Sequence, residues 1–264
     1  MRSEWSGRPK MLVLDIDGTL LPPDGGVTER VRAAVTRVHD AGCPVVLATG
    51  RASFEVSILF SDTGLPDAVA VCSNGAIVAA MPGGEILSRS TFDARPILRE
   101  LLRQVPDAMV AVEVAGTGYF VTHEFPGNEM LGSQSVCDLE SVLTEPVTRV
   151  VVRDPNSTPE DFHALSKRLR IRDASYSIGF VAWLDLGPFG VSKASRLNQV
   201  AEQMGIDPMD VLAIGDGHND VEMLAWAGRG VAMGHAPAEL KRIADAVTGS
   251  ITEDGVADEV DRWF

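Results

Sequence analysis

Residues 13–21 read Val-Leu-Asp-Ile-Asp-Gly-Thr-Leu-Leu, an apolar lead-in followed by two carboxylates one residue apart. This pattern predicts a buried strand that ends in a sharp turn, because Gly18 can adopt backbone conformations that other residues avoid. In an open α/β sheet, ligands bind beyond the carboxyl ends of the strands. Asp15 and Asp17 are therefore candidate catalytic residues, one to coordinate a hard cation and the other to handle a proton. A simple polar turn is the competing explanation of these residues, and the rest of the chain decides between the two.

Strands and helices alternate on both sides of this stretch. Thr28 caps a predicted helix whose apolar residues fall on one face, and residues 44–48 and 68–72 read as further buried strands. Residues 211–214 and 230–234 show the same pattern near the other end of the chain. Alternation of this kind predicts an α/β fold in which a Rossmann-like parallel sheet forms a core domain.

The middle of the chain has a different texture. Residues 109–114 and 119–125 predict a hairpin around a glycine-containing loop, and residues 176–186 predict one last long strand. Hairpins in place of strand-helix alternation indicate an α+β unit, and glycine-rich turns mark both of its ends. We therefore predict an inserted α+β domain over residues 83–187, with the core domain formed by residues 1–82 and 188–264.

Two further segments carry residues suited to binding an anion. Thr49-Gly50-Arg51 follows the second predicted strand and leads into a helix, where a hydroxyl and free backbone N–H groups suit phosphate. An ordinary loop is the alternative. Lys193 lies in the first turn of a helix capped by Ser192, where a cation opposes the helix dipole by about 0.3–1 kcal/mol unless an anion is bound nearby. A solvated surface lysine is the alternative there.

A second group of carboxylates follows a later strand. Residues 215–220 read Gly-Asp-Gly-His-Asn-Asp, so Asp216 and Asp220 stand at a strand end, as the first pair of acids does. Together the two pairs make an oxygen-rich site of the kind that Mg²⁺ prefers. His218 lies in the same loop, and without a second histidine of metal-ligand type we interpret it as a loop residue rather than a base.

Composition narrows the classes of partner. The chain has 264 residues, 45% of them hydrophobic, and a formal net charge of -14. Without a basic stripe we predict no nucleic-acid binding, and without an apolar run long enough for a bilayer we predict no membrane insertion. No heptad or exposed apolar helix stripe is legible, so no obligate protein partner is predicted. The three cysteines have unrelated spacings and the N-terminus lacks signal-peptide character, which together predict a reduced, cytoplasmic protein.

The motifs are more specific together than apart. They comprise residues 15–20, 49–51, 73–76, 191–193, 215–220 with 223–224, 231–234 and 253–257. In order and spacing they resemble the Cof-type phosphatases of the haloacid-dehalogenase-like superfamily, in the branch whose cap domain, of type IIB, lies at the second insertion point. The resemblance covers essentially the whole chain. One departure is Ala194, where glycine commonly follows the lysine.

The resemblance implies a role for each motif residue. Asp15 would be the nucleophile that forms an aspartyl-phosphate, and Asp17 would protonate the leaving alcohol and then activate water. Mg²⁺ would be held by the Asp15 side chain, the Asp17 backbone carbonyl and Asp216, with Asp220 nearby or bonded through water. The phosphoryl group would be bound by Thr49, the Gly50 amide, Lys193 and Asn219.

The implied function is an Mg²⁺-dependent phosphatase of small phosphorylated metabolites, sugar phosphates first, with pyridoxal phosphate or flavin mononucleotide as related substrates. A phosphosugar mutase and a non-catalytic phosphometabolite-binding protein are the alternatives. The inserted domain would close over the site as a cap and set specificity. On chemistry alone, its candidate specificity residues are Glu113, His123, Glu124, Arg149 and Trp183.

Overall fold

The computed structural model describes residues 7–23, 26–61, 63–126, 130–169, 174–178 and 183–264. The helices and strands within these ranges are, in chain order, β1 (Met11–Leu14), α1 (Glu29–Asp40), β2 (Val45–Ala48), α2 (Ser53–Ser61), β3 (Ala68–Cys72), β4 (Ile77–Met81), β5 (Glu85–Arg89), α3 (Arg95–Gln104), β6 (Met109–Val114), β7 (Gly118–Val121), β8 (Ser133–Val136), α4 (Leu139–Val142), β9 (Val150–Arg153), α5 (Pro159–Leu169), β10 (Ala174–Ile178), β11 (Trp183–Pro188), α6 (Lys193–Met204), β12 (Val211–Gly215), α7 (Val221–Trp226), β13 (Arg229–Ala232), α8 (Ala238–Ile243), β14 (Ala246–Val247) and α9 (Gly255–Val260). Among these helices, none is long and apolar enough to cross a bilayer.

The larger of two sheets, called the core sheet below, has the order β14-β13-β12-β1-β2-β3-β4-β5. Its strands are parallel from β14 to β3, and β4 and β5 add to the edge in antiparallel fashion. The chain leaves β1 toward β2 on one side and later returns to β12 on the other. The order of strands therefore reverses at β1, and a crevice forms at such a point beyond the carboxyl ends of the strands.

Strand β1 lies at the centre of the core sheet and is buried on both faces. Leu12 and Leu14 belong to one apolar cluster, and Met11 and Val13 belong to the cluster on the opposite face. All four side chains are fully buried. Helices cover both faces of a parallel sheet, which is why its strands read as continuous apolar runs. The predicted fold class, a Rossmann-like parallel core with an α+β insertion, is confirmed.

The second sheet, called the cap sheet below, has the order β10-β11-β9-β6-β7-β8. Its pairs are antiparallel except for β7 and β8. One face packs under α3 and α5, through residues such as Leu101 and Phe162. The other face packs on the start of α2, where Phe54 meets Tyr119 edge-on with ring centroids 5.2 Å apart. This inner face brings the cap sheet against the edge of the core sheet where its strands end.

Both ends of the inserted segment differ from the sequence prediction. Strand β5 was predicted to lie in the insertion that starts at 83, but it pairs with β4 in the core sheet. The glycine-rich turn at 82–84 closes this hairpin, so it is not a linker. At the other end Pro188 pairs with Ala174 in the cap sheet. Both predicted boundaries therefore move toward the C-terminus, and the division into core and cap domains stays a proposal.

The prediction of one long strand over residues 176–186 is also wrong. The structure has two antiparallel strands there, β10 and β11, with Ser177 opposite Asp185. Residues 179–182, where the prediction continued the strand, lie outside the described ranges. A two-residue period has the same appearance whether the chain runs straight or folds back on itself, so the pattern alone could not separate the two.

Candidate active site

Three neighbouring strands of the core sheet deliver the predicted site residues to one edge. β1, β2 and β12 are adjacent, and they end at Leu14, Ala48 and Gly215. Because these strands are parallel, the loops that follow them meet beyond the same edge of the sheet. The structure thus brings the two aspartate loops and the Thr-Gly-Arg loop together, although they are far apart in sequence.

Lys193 joins the two aspartate loops. Its Nζ donates to Oδ1 of Asp15 at 2.6 Å and to Oδ1 of Asp220 at 2.7 Å. Lys193 is 1% exposed, Asp15 5% and Asp220 0%, so the three side chains form a buried triad and the lysine is not solvated. Burial alone would lower the pKa of Lys193, but Asp15 and Asp220 outweigh it and raise the pKa, which keeps the ammonium charged. Of the two explanations left open for Lys193, the structure supports a nearby anion, which is a pair of carboxylates.

Asp15, Asp216 and Asp220 form a cluster of acids. Each offers a carboxylate oxygen, and these oxygens all lie within 4.8 Å of one another. Burial and the nearby charge of Asp220 raise the pKa of Asp15 and also that of Asp216. Carboxylates held this close repel one another, and a cation between them relieves the repulsion. An all-oxygen set of donors fits Mg²⁺.

The three acids of this cluster differ in how many hydrogen bonds their carboxylate oxygens already accept. Oδ2 of Asp220 accepts the backbone N–H groups of Asp216 and Gly217 at 3.0 and 2.9 Å, and its Oδ1 accepts Lys193. Asp220 therefore holds its own loop and the lysine in place. Asp15 and Asp216 are better placed to offer an oxygen directly to a metal ion. This division agrees with the role, nearby or through water, that the resemblance implies for Asp220.

Gly18 lets the first aspartate loop approach Asp216. Its backbone has a φ of +80°, in the left-handed region that favours glycine. A Cβ atom at this position would lie 2.2 Å from Oδ2 of Asp216. Any side chain here would therefore displace a candidate metal ligand, in addition to straining the turn.

His235 contacts Asp216 from the loop after β13. Its Nε2 lies 3.4 Å from Oδ2 of Asp216, and its Nδ1 accepts the backbone N–H of Ile251 at 3.3 Å. An acceptor at Nδ1 places the ring proton of the neutral imidazole on Nε2, which faces the carboxylate. The sequence analysis missed this residue. Its position directly after a strand of the parallel sheet was the signal that could have found it. His218 is exposed, as expected of a loop residue.

The Asp17 carboxylate pairs with Arg51 and is not part of the acid cluster. Nε of Arg51 donates to Oδ1 and Oδ2 of Asp17 at 3.0 and 2.8 Å, and Nη2 donates to Oδ1 at 2.6 Å. The Asp17 side chain is 51% exposed. Its carboxylate is not among the clustered oxygens, so any contact of Asp17 with a metal would involve the backbone carbonyl. Arg51 belongs to the Thr-Gly-Arg motif, but its residue type and position alone predicted no role for it.

The predicted phosphate-binding residues lie around the loop of residues 73–75, between β3 and β4, for which no role was predicted. Oγ1 of the buried Thr49 accepts the N–H of Arg51 at 3.1 Å, which leaves its hydroxyl hydrogen to donate elsewhere. A Cβ on Gly50 would lie 3.3 Å from Oδ1 of Asn74, and Nδ2 of Asn219 donates to that same oxygen at 3.1 Å. Asn74 is thus the neighbour that Gly50 and Asn219 share.

The candidate cap residues separate into two groups. Glu113 and Arg149 are buried on the inner face of the cap sheet, whereas His123 and Glu124 are exposed. Burial raises the pKa of Glu113 to about 7 against the opposing charge of Arg149. Trp183 is half-buried and packs edge-on against Phe125. Trp183 also packs against the apolar cluster on the inner face, so Glu113, Arg149 and Trp183 are positioned toward the region between the sheets.

Glu113 makes a contact that joins the two sheets, whereas Arg149 makes its contacts within the cap sheet. Glu113 accepts a hydrogen bond through Oε2 from Oγ of Ser73, at 2.8 Å, which joins the cap sheet to the core sheet. Arg149 donates through Nε to Oδ1 of Asp185 at 2.6 Å and through Nη1 to the hydroxyl of Tyr119 at 3.2 Å. The inner face of the cap sheet therefore carries a group of buried polar side chains, namely Glu113, Arg149 and Tyr119.

The chain is similar over almost its whole length to known hydrolases and phosphatases. The family model for haloacid dehalogenase-like hydrolases matches residues 12–260. A putative phosphatase of Haemophilus influenzae is 30% identical over 265 residues, which cover 94% of each chain. The 5-amino-6-(5-phospho-D-ribitylamino)uracil phosphatase YitU of Bacillus subtilis is 29% identical over 97% of this chain and 98% of its own. The structure of BT1666, a phosphatase of the haloalkanoate (HAD) superfamily from Bacteroides thetaiotaomicron, superposes with a TM-score of 0.81 at 26% identity, covering 100% of this chain and 97% of its own.

The acid cluster and the buried lysine lie at the switch point of a parallel sheet, where α/β proteins bind their ligands. The chain belongs to the haloacid dehalogenase-like hydrolase family. Within that family it is a phosphatase, as its named relatives are. The resemblance to the Cof-type phosphatases, which the motifs indicated, is confirmed.

Proposed function

We propose that this phosphatase hydrolyses small phosphorylated metabolites, sugar phosphates foremost, with Mg²⁺ as cofactor and through an aspartyl-phosphate. The observation that carries the proposal is the buried bridge from Lys193 to Asp15 and Asp220, with Asp216 beside it. A buried lysine that holds a nucleophile within an acid cluster suits phosphoryl transfer, which depends chiefly on positioning and on charge stabilisation. The relative YitU is named for a phosphorylated ribityl compound, which supports a small substrate.

In the first step of this proposal Asp15 attacks the phosphorus atom. Lys193 holds Oδ1 of Asp15, so Oδ2 is the oxygen we expect to form the new bond. As that bond forms, the bond from phosphorus to the ester oxygen breaks. Asp17 gives its proton to the departing alkoxide, which leaves as an alcohol. Thr49, the Gly50 amide and Asn219 would hold the phosphoryl oxygens during the transfer.

In the second step water hydrolyses the aspartyl-phosphate. Asp17, now a carboxylate, takes a proton from the water as it attacks phosphorus, and the bond to Asp15 breaks. Both proton transfers require Asp17 to leave its bidentate contact with Arg51, which occupies both carboxylate oxygens in this structure. Asp15, Asp216 and the Asp17 backbone carbonyl would hold Mg²⁺. Its chemistry here is to supply positive charge that offsets anion-on-anion repulsion.

The test is phosphate release by the purified protein across a panel of sugar phosphates, nucleotides, flavin mononucleotide and pyridoxal phosphate, with and without Mg²⁺. Asp15→Asn is the blank, because an amide cannot serve as the nucleophile. Asp210→Asn is the matched control, since it removes a carboxylate that pairs with exposed Lys10 away from the site. We expect Mg²⁺-dependent release from a narrow set of compounds, abolished by the first substitution and kept by the second.

Other outcomes point to the two alternatives. Transfer of the phosphoryl group back to another hydroxyl of the same sugar, without release of inorganic phosphate, would favour a phosphosugar mutase. Tight binding of a phosphometabolite with no turnover, in protein whose metal site is filled, would favour a binding protein. Release that survives Asp15→Asn would contradict the proposed nucleophile.

A further inference from the structure

The loop between β3 and β4 has an unusual backbone. Ser73 and Asn74 both have a φ of 51°, and Gly75 follows with a φ of 106°. Left-handed conformations of residues other than glycine cost about 1–3 kcal/mol each, so the surroundings must hold them. Two backbone hydrogen bonds contribute, from Ser73 N–H to the carbonyl of Arg51 at 2.8 Å and from Asn74 N–H to that of Thr49 at 3.0 Å. The strained loop is therefore fastened to the predicted phosphate-binding loop.

The side chain of Asn74 makes one hydrogen bond to a residue beside the core sheet and one to a residue of the cap sheet. Its Oδ1 accepts from Nδ2 of Asn219, which follows β12 of the core sheet, at 3.1 Å. Its Nδ2 donates to Oγ of Ser177, on β10 of the cap sheet, at 3.2 Å. The two contacts have opposite polarity, so together they determine which way the amide points. One amide thus links a predicted phosphate-binding side chain to the cap sheet.

The neighbouring residue makes a parallel link. Ser73 donates its hydroxyl to Glu113 on β6 of the cap sheet at 2.8 Å. A Cβ on Gly75, the third residue of the loop, would lie 2.4 Å from the carbonyl oxygen of Ser192, directly before Lys193. The loop therefore has little freedom on the core side. Its two polar side chains, Ser73 and Asn74, both contact residues of the cap sheet.

We propose that Asn74 is a positioning residue that couples closure of the cap sheet to the assembly of the phosphoryl-binding groups; this inference rests on the proposed function. With Ser177 in contact, the amide of Asn74 is held with Oδ1 toward Asn219. That oxygen accepts one N–H of the Asn219 amide, which would leave the other N–H to donate to a phosphoryl oxygen held beside Gly50. When the cap sheet moves away, Asn74 loses one of its two anchors, its amide can rotate, and Asn219 is no longer oriented.

Coupling of this kind is reciprocal. If closure orients the groups that bind phosphate, then bound phosphate must favour closure by the same factor. Couplings of this type commonly amount to about 5- to 150-fold in affinity. Inorganic phosphate should therefore protect β10 from hydrogen exchange, although it has no leaving group to contact the cap sheet. This expectation separates a link through Asn74 from ordinary contact between the cap and a substrate.

The experiment compares three substitutions. Asn74→Gly removes the amide and keeps a residue that adopts the left-handed backbone easily, so it tests the side chain without adding strain. Ser177→Ala removes the partner on the cap sheet. Ser175→Ala is the matched control, because it lies two residues away on the same face of β10, opposite Gly187. Thermal unfolding of each variant checks that the fold is intact.

Two readouts are used. The first is hydrogen exchange of the peptide that contains β10, with and without inorganic phosphate in the presence of Mg²⁺. The second is kcat and KM for the best substrate, including the double variant at positions 74 and 177. We expect phosphate to protect β10 in the wild type and in Ser175→Ala. In Asn74→Gly and Ser177→Ala that protection should disappear, with about tenfold weaker phosphate binding, and the double variant should be no worse than either single variant.

The outcomes separate this inference from the proposed function. Protection of β10 that persists in Asn74→Gly, or losses that multiply in the double variant, would overturn the coupling even in an active phosphatase. If phosphate protects β10 through Asn74 but no compound is hydrolysed, the proposed function fails and the coupling stands. If phosphate does not protect β10 in the wild type, the coupling is overturned.

Discussion

Replacing Lys193 with methionine tests the buried bridge at the centre of the site. The substitution keeps a long apolar side chain and removes the ammonium group that donates to Asp15 and Asp220 at 2.6 and 2.7 Å. Since only 1% of Lys193 is exposed, water cannot replace the lost charge. Removing one member of a buried ion pair costs about 3–5 kcal/mol, because the remaining charges stay buried without compensation. This is a large part of the free energy of unfolding of about 5–15 kcal/mol that is typical of a folded protein.

Urea unfolding at neutral pH in the presence of a chelator measures the loss. Lys10→Met is the control, since Lys10 pairs with Asp210 at 2.7 Å but its side chain is 65% exposed. Solvent screens that pair, so its removal should leave the unfolding midpoint unchanged. A loss of less than about 1 kcal/mol for Lys193→Met, or equal effects of the two substitutions, would refute the reasoning.

Added Mg²⁺ allows a second comparison, between Lys193→Met and the wild type. A ligand that binds only the folded state stabilises it, by about 2.7 kcal/mol at one hundred times its dissociation constant. Without Lys193 the three clustered carboxylates attract a cation more strongly. Mg²⁺ should therefore raise the free energy of unfolding of Lys193→Met more than that of the wild type. Equal stabilisation of both would indicate that the lysine does not share the cluster's charge with a metal.

Two further predictions concern residues near the site. His235→Ala should weaken Mg²⁺ binding by about 10- to 100-fold, because the imidazole orients the carboxylate of Asp216; calorimetric titration with Mg²⁺ measures this, and His39→Ala, on α1, should have no effect. Glu113 has its pKa raised by burial from 4.5 to about 7, so in that pH range the folded protein keeps a proton that the unfolded chain has lost. The contribution of Glu113 to stability should then fall as pH rises from about 4.5 to 7, by up to about 3 kcal/mol. Glu113→Gln should remove this part of the pH dependence in urea unfolding measured across the range; a profile unchanged by the substitution would rule out Glu113 as its source.

Local pattern was sufficient for much of the core sheet. The strand before Asp15 was predicted because a strand buried on both faces needs a continuous apolar run. The two helix N-caps predicted for α1 and α6 were also correct. Thr28 accepts the N–H of Val31, and Ser192 caps α6. The predictions that were wrong concern how strands pair. Strand β5 was placed with the insertion, and β10 with β11 was taken as one strand, because periodicity describes a strand's faces and not its partner.

Residue types and their spacing were enough to predict the class of chemistry. Acids, a hydroxyl and a lysine at strand ends and helix starts must converge in a parallel sheet, because the carboxyl ends of its strands lie along one edge. Which of these groups bind one another was decided only by the tertiary structure. Arg51 pairs with Asp17, His235 contacts Asp216, and Asn74 joins the two sheets. These contacts depend on loop conformation and on how the cap sheet lies over the core sheet, since hydrogen bonds form over about 3 Å and no local pattern records distances between remote segments.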